Sequence, residues 1–351
     1  MTDETLMRAI AQLFVICLSL LCLPLAAQTV SGLYQVREGV ASQQPDERNA
    51  ALGRALDTLV LRLTGDPQAL QNPALTPLRN EPQQLITRYA YEVDSARGQV
   101  LLVDFDPVSS ERSLRQAGLA LWGANRPVIL AWWLNDSTEG TALVGDAQPA
   151  AIVLRSAAAR SGLPLSLPLA DLDEQLLATA QNLSAERSQV LQAASGRYSA
   201  DALLAVQARE ADGQWQAQWQ LSLGETREQG SAQGADQQTL ADAVLRAVAE
   251  RLAPRFVSQP GATQTLQLRL WGANFERYAQ AQRLLAPFSA RLQWAQGKQL
   301  VYSLSASPEQ LRAQLALGRL QEGRGTAETP ETSPTAPPVE PAKPAQLQFH
   351  W

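Results

Sequence analysis

The chain has 351 residues and a formal charge of −5, from 29 basic and 34 acidic side chains spread along its length, with no basic block to track a phosphate backbone, so nucleic-acid binding is not indicated. The single histidine, His350, rules out histidine triads and multi-histidine metal sites. Both cysteines, Cys17 and Cys22, lie inside an N-terminal apolar run, so a chain that loses that run has no thiol for a disulfide, a metal or a nucleophile.

Met7-Arg8 precedes an apolar run from Ala9 to Leu25 that ends in Pro24-Leu25-Ala26-Ala27-Gln28. A positive start, a short apolar stretch and small residues at the cut make a secretory signal, here assigned to residues 1–27. The expected location is the periplasm of a Gram-negative-type bacterium. The alternative is an uncleaved inner-membrane anchor, because the run approaches the roughly 20 apolar residues that span a bilayer. The remaining length suffices for two or three small domains with cores.

The first region, 28–146, reads as an α/β domain. Leu33 to Val36 alternates like a strand. A helix is predicted near 46–64, with Leu52, Leu56, Leu59, Val60 and Leu63 at spacings of three and four and Gly65 as its stop. A proline-dotted connection then leads to a strand at 100–106. Ser109 is placed as the N-cap of a helix carrying Leu114 and Leu121, and the apolar run 126–134 as a buried strand.

The second region, 147–258, reads as an α/β interaction-type domain. It has a helix at 150–161, a polar helical stretch around 173–195 and a strand at 200–207. Trp215, Ala217, Trp219, Leu221 and Leu223 then alternate with polar residues over 213–223, a strand with one face buried and one wet. A second strand lies near Arg227, and Asp236 caps a helix with Leu240, Val244, Leu245, Val248 and Leu252 on one side. A sheet covered by helices on one face fits this order.

The third region, 262–320, runs strand (Leu266, Leu268, Leu270), helix 275–285 capped by Asn274, strand (Leu292, Trp294), turn at Gly297, strand (Leu300, Tyr302, Leu304), helix. Ser307-Pro308-Glu309-Gln310 opens that last helix with an N-cap, a first-turn proline and a capping-box glutamine. This β-α-β-β-α module is one strand short of a ferredoxin-like fold. Residues 321–345 read as a disordered proline-rich linker. Residues 346–351 alternate, with Leu347, Phe349 and Trp351 on one face, as a strand that docks on an exposed edge. Its cheapest edge is the vacant fourth position of the third module. A partner's sheet and recognition by outer-membrane barrel machinery are the other two readings. The fold class is α+β: two mixed α/β regions followed by the ferredoxin-like β-α-β-β-α(-β) module, the linker and the C-terminal strand.

At Leu33-Tyr34-x-Val36, Leu61-Arg62-Leu63-Thr64-Gly65, Val103-Asp104-Phe105-Asp106, Arg126-Pro127 leading to Trp132-Trp133, and Tyr198-x-x-Asp201-Ala202, the chain resembles a proteobacterial family catalogued as domain of unknown function 2066. The resemblance covers the first two regions and implies an envelope location but no activity. By element order alone, the middle region is similar to small α/β interaction modules of periplasmic proteins, and the third module to peptidoglycan-binding βαββαβ repeats. Such likenesses transfer neither function nor binding residues.

Asp104 and Asp106 share a face at a strand end, where paired acids could cleave a glycan. The plainer reading is that they cap the turn into the next helix. Trp132, Trp133, Trp215 and Trp219 could stack sugars, but their neighbours favour a core role, with Trp132 and Trp133 on opposite faces. No catalytic, cofactor or metal residue is assigned. The expected function is that of a non-catalytic envelope adaptor or scaffold whose partners are envelope proteins or peptidoglycan. The alternative is a carboxylate-dependent envelope glycan hydrolase using Asp104 and Asp106.

Overall fold

The computed structural model describes residues 32–94, 98–138, 140–184, 188–257, 264–288, 290–323 and 345–351. The leader assigned to 1–27 and most of the linker, 324–344, lie outside them. The described chain is α+β and builds three separate sheets, of three, six and five strands.

The first sheet is antiparallel, with β1 (Gln35–Gly39), β3 (Gly98–Phe105) and β2 (Ile86–Asp94) side by side in that order. Helix α1 (Pro45–Thr64) lays Leu52, Leu56, Leu59, Val60 and Leu63 against this sheet, all at 1 % exposure or less. Gly65 ends the helix in the left-handed conformation, φ 65°, and its N–H returns to the carbonyl of Leu61. Strand β2 was not foreseen; it emerges from the proline-dotted connection, which otherwise holds short helical turns and α2 (Thr76–Asn80).

Helix α3 (Pro107–Gln116) starts one turn earlier than expected. Its N-cap is Asp106 rather than Ser109: the Asp106 carboxylate accepts the Ser109 N–H, and Pro107 occupies the first helical position, where no donor is needed. Leu121 lies beyond the end of α3, although Leu114 and Leu121 share one core.

The second sheet runs β5 (Gly140–Leu143), β4 (Ile129–Ser137), β7 (Ala202–Ala211), β8 (Gln214–Leu223), β9 (Thr226–Gly234), with β6 (Leu165–Ser166) also on β4. Strands β4, β6 and β7 are parallel and the other pairs antiparallel. This corrects the boundary at 146, because 129–143 belong to the second sheet and not to the first region. The reason is burial: Ile129 to Leu134 are all buried, which a strand achieves only when both faces are covered. Helices α4 (Ala150–Ser161) and α7 (Gln237–Phe256) cover one face. The stretch 173–195 is not one helical run but α5 (Leu172–Leu177) and α6 (Ser188–Ala194), which contribute Leu177, Leu191 and Ala194 to a core on the other face. The sheet is therefore covered on both sides.

Two buried arginines fasten the first region to the second. Arg126 donates to the carbonyls of Gly123, Trp122, Arg62 and Gly162, and its guanidinium lies 4.2 Å from the Trp122 ring centroid. Arg62 donates to the carbonyls of Gly32, Leu33, Gln35 and Arg160. Burial pushes both guanidinium groups down, to about 9 for Arg126 and about 10 for Arg62. Carbonyl dipoles do the work of counter-ions here.

The third module comprises β10 (Gln264–Trp271), α8 (Phe275–Leu285), β11 (Arg291–Gln296), β12 (Gln299–Ala306), α9 (Pro308–Leu317), β13 (Gln321–Glu322) and β14 (Ala345–His350). Ends of the segment read as linker are thus strands. Helices α8 and α9 close one face over Leu266, Leu268, Leu270, Tyr302 and Leu304. Helix α9 also packs on α7, with the Gln310 side-chain amide donating to the Phe256 carbonyl at 3.0 Å.

Candidate strand-docking site

The sheet of the third module is ordered β11-β12-β10-β14-β13. Strand β13, into which α9 leads, runs antiparallel to β14, and β14 runs parallel to β10. The tail therefore fills the slot beside β10 in the direction opposite to β13, which it displaces one place outward. In this register Leu347 faces Leu268 and Phe349 faces Leu270. Phe349 is 3 % exposed within the helix-side core, while Leu347 and Trp351 are packed against its margin. The Trp351 indole donates to Gln280 at 3.0 Å, and Arg277 lies 5.7 Å from its ring centroid. Arg277 is oriented by the carbonyl of Gly272, whose φ of +86° turns the chain from β10 into α8.

Docking of β14 also extends the face of the sheet turned away from the helices. One row across that face is Trp294, Val301, Arg269 and Gln348, and the next is Gln296, Gln299, Trp271 and His350. Trp271 and Trp294 are 46 % and 41 % exposed, whereas Val301 between Trp294 and Arg269 is fully buried. Leu292 and Trp294, expected on one side of a strand, point to opposite faces because a bulge falls between them. Sequence reasoning missed this face; the signal was the polar partner set of β10, Gln267 and Arg269, beside two tryptophans.

Asp104 and Asp106 are each engaged by a different partner in the fold. Asp104 accepts from Arg88 and, at 2.7 Å, from Gln35, and the Arg88 hydrogen bond holds its carboxyl below the usual range. Asp106 is also held low, by the Ser109 hydroxyl and amide. A general acid at neutral pH needs the opposite shift. Trp132, Trp133, Trp215 and Trp219 are 0–7 % exposed and build the two cores of the middle sheet, Trp132 on one face and Trp133 on the other. Their rings are closed to a sugar.

A cleft of about 490 Å³ lies at the starts of β4 and β7, lined by Leu130, Ser195, Tyr198, Asp201, Arg227 and Arg319 among others. Burial raises the Asp201 carboxyl, but it already accepts the Val128 N–H at 2.8 Å and so closes the end of the sheet. Tyr198 is tied to Glu174 at 2.6 Å. Among the described residues no group of three His, Cys, Asp or Glu side chains converges as metal ligands, and no helix is long and apolar enough to cross a membrane.

The described residues define an α+β protein with an exposed sheet face in the third module. Residues 27–123 match a family described as a domain of unknown function (DUF8605). No curated protein and no solved structure matches the chain.

Proposed function

We propose that the chain is an exported, non-catalytic protein of the cell envelope that serves as an adaptor or scaffold, binding envelope proteins or peptidoglycan. The observation that carries this reading is the third sheet. It takes up an extended segment in register along β10 and presents a broad outward face with two exposed tryptophans, in the manner of strand-addition modules. Export supports the same reading from the leader sequence, with cleavage after Ala27. An inner-membrane-anchored form would keep residues 9–27 in the mature mass.

The test combines fractionation with one double substitution. The chain is expected in the periplasmic fraction, with a mature mass that begins at Gln28. Asp104→Asn/Asp106→Asn should leave the deletion phenotype complemented. Loss of complementation by a double variant that still folds would favour a glycan hydrolase, and a soluble cytosolic chain with its leader intact would overturn the proposal.

A further inference from the structure

The cleft at the starts of β4 and β7 is built from two modules. Its floor is a row of ladder partners, Leu130, Leu203, Ser222 and Arg227, which share one face of the middle sheet across β4, β7, β8 and β9. Asp201 and Glu225 line it one step further along, Asp201 just ahead of β7 and Glu225 in the turn between β8 and β9. Arg319 closes it from the third module, which α9 holds against α7. This residue follows α9 in the left-handed conformation, φ 58°, and its N–H and that of Leu320 return to the carbonyls of Ala316 and Leu315. Helices commonly end in this way with glycine at that position, because a Cβ is unfavourable there. The glycine of this turn stands one residue earlier, at Gly318, where a Cβ would fall 2.3 Å from Leu284 Cδ1. Arg319 therefore sits at a strained position, with its side chain in the lining of the cleft.

The charges around the cleft are not spent on one another. Among the described residues neither Arg227 nor Arg319 has an ion-pair partner. Burial raises the Asp201 carboxyl, and Arg319 pulls it back through charge alone, without an ion pair between them. The neutral groups are engaged: the Ser195 hydroxyl accepts from the Trp132 indole and donates to the Leu191 carbonyl, and Tyr198 is bound to Glu174 and to the Leu169 N–H. We infer that this cleft binds a free α-amino acid with an apolar side chain: Arg227 and Arg319 hold its carboxylate, Asp201 and Glu225 its ammonium, and Leu130 and Leu203 its side chain. The inference goes beyond the adaptor reading and does not depend on it. A volume of about 490 Å³ lies within the range of small-ligand sites. Guanidinium forks suit a carboxylate. A phosphate would also meet two carboxylates, and a bare cation two guanidinium groups, whereas a ligand carrying both charges satisfies all four. Asp201 and Arg227 are anchored two strands apart, about 10 Å between backbones, a span that the long arginine side chain narrows to the size of a small zwitterion. Because Arg319 belongs to the third module and the other groups to the middle sheet, such a ligand ties the two together.

The experiment is a thermal-shift screen of the full chain with the proteinogenic L-amino acids, one at a time at millimolar concentration, followed by calorimetric titration of whichever binds. Inorganic phosphate and the N-acetyl and amide forms of the same amino acid, each lacking one of its two charges, are run beside it. One or more apolar amino acids should raise the melting temperature, because a ligand that binds only the folded chain stabilises it. The phosphate and both charge-deleted forms should not. Arg319→Gly should weaken binding by about tenfold or more while the ligand-free protein melts at or above the wild-type temperature, since glycine relieves the left-handed residue as it removes the guanidinium. That combination separates a ligand-binding arginine from a structural one. Should Arg319→Gly melt lower, Arg227→Gln on the exposed hairpin decides, with the same loss of binding expected. The inference is overturned by a screen in which no apolar amino acid raises the melting temperature, by equal binding of the N-acetyl form, the amide or phosphate, or by undiminished binding in Arg319→Gly or Arg227→Gln.

Discussion

Replacement of Phe349 by Ala should release the whole of β14 rather than leave a hole beneath it. Phe349 is 3 % exposed, and burying roughly 200 Å² of ring contributes about 5 kcal/mol. Partial burial of Leu347 and Trp351 adds about 3 kcal/mol by the same coefficient. Against this stands the ordering of a six-residue strand, about 9 kcal/mol at about 1.5 kcal/mol per residue. Ladder hydrogen bonds of about 1 kcal/mol each tip the balance toward docking by only a few kcal/mol. A Phe→Ala change in a core costs about 3–5 kcal/mol, which consumes that margin. The stability lost is then capped at the docking free energy, and further substitutions in β14 become silent. Hydrogen exchange read by mass spectrometry should show residues 345–351 unprotected in Phe349→Ala and faster exchange in 264–271. Urea melts of Phe349→Ala, Phe349→Ala/Leu347→Ala and the 346–351 deletion should coincide. Retained protection of 345–351 in Phe349→Ala, or a further loss with the second substitution, would refute the argument.

Three other outcomes follow from the junction and the first region. Arg126→Met leaves the carbonyls of Gly123, Trp122, Arg62 and Gly162 without this donor; at about 1–3 kcal/mol for each unpaired group it should cost at least about 3 kcal/mol in urea unfolding, and a loss below about 1 kcal/mol would mean that water replaces the guanidinium. Gly65→Ala combines a left-handed backbone with a Cβ that would fall 2.3 Å from that of Ala253 on α7, so calorimetry should register a loss of roughly 2–4 kcal/mol. The carboxyls of Asp104 and Asp106 are held low in the fold, so their contribution is present above the unfolded value of about 3.9 and disappears as pH falls through their folded values. The melting temperature of the wild type should therefore drop more steeply below about pH 4 than that of Asp104→Asn/Asp106→Asn, and parallel curves would contradict the assignment.

Elements whose signals are local were legible from sequence. Gly65 stops α1, Asp236, Asn274 and Ser307 each accept the backbone N–H of the third helical residue after them, and the alternation from Trp215 to Leu221 is that of β8. What escaped was decided at a distance. The run 126–134 carries no mark of which sheet it joins, since β4 finds β7 only 73 residues downstream. Asp106 and Ser109 both suit an N-cap, and the choice lay in Pro107, which fixes the first helical position one residue after Asp106. Strand β2 alternates Tyr89, Tyr91 and Val93, yet Tyr89 and Val93 are exposed, so its apolar residues do not mark one buried face. The bulge after Leu292 reverses the facing of Trp294, and no residue type announces it. The outward face of the third sheet was hidden for that reason.

The pairing of β10 with β14 joins residues 79 positions apart in sequence. While a nascent chain is still short of Leu347 and Phe349, the flank of β10 carrying Leu266, Leu268 and Leu270 has no lateral neighbour of its own, and such a flank invites association or proteolysis. A prematurely terminated product would keep that vulnerability permanently. Strand β14 thus doubles as a guard on that edge against any protease that samples unpaired strands.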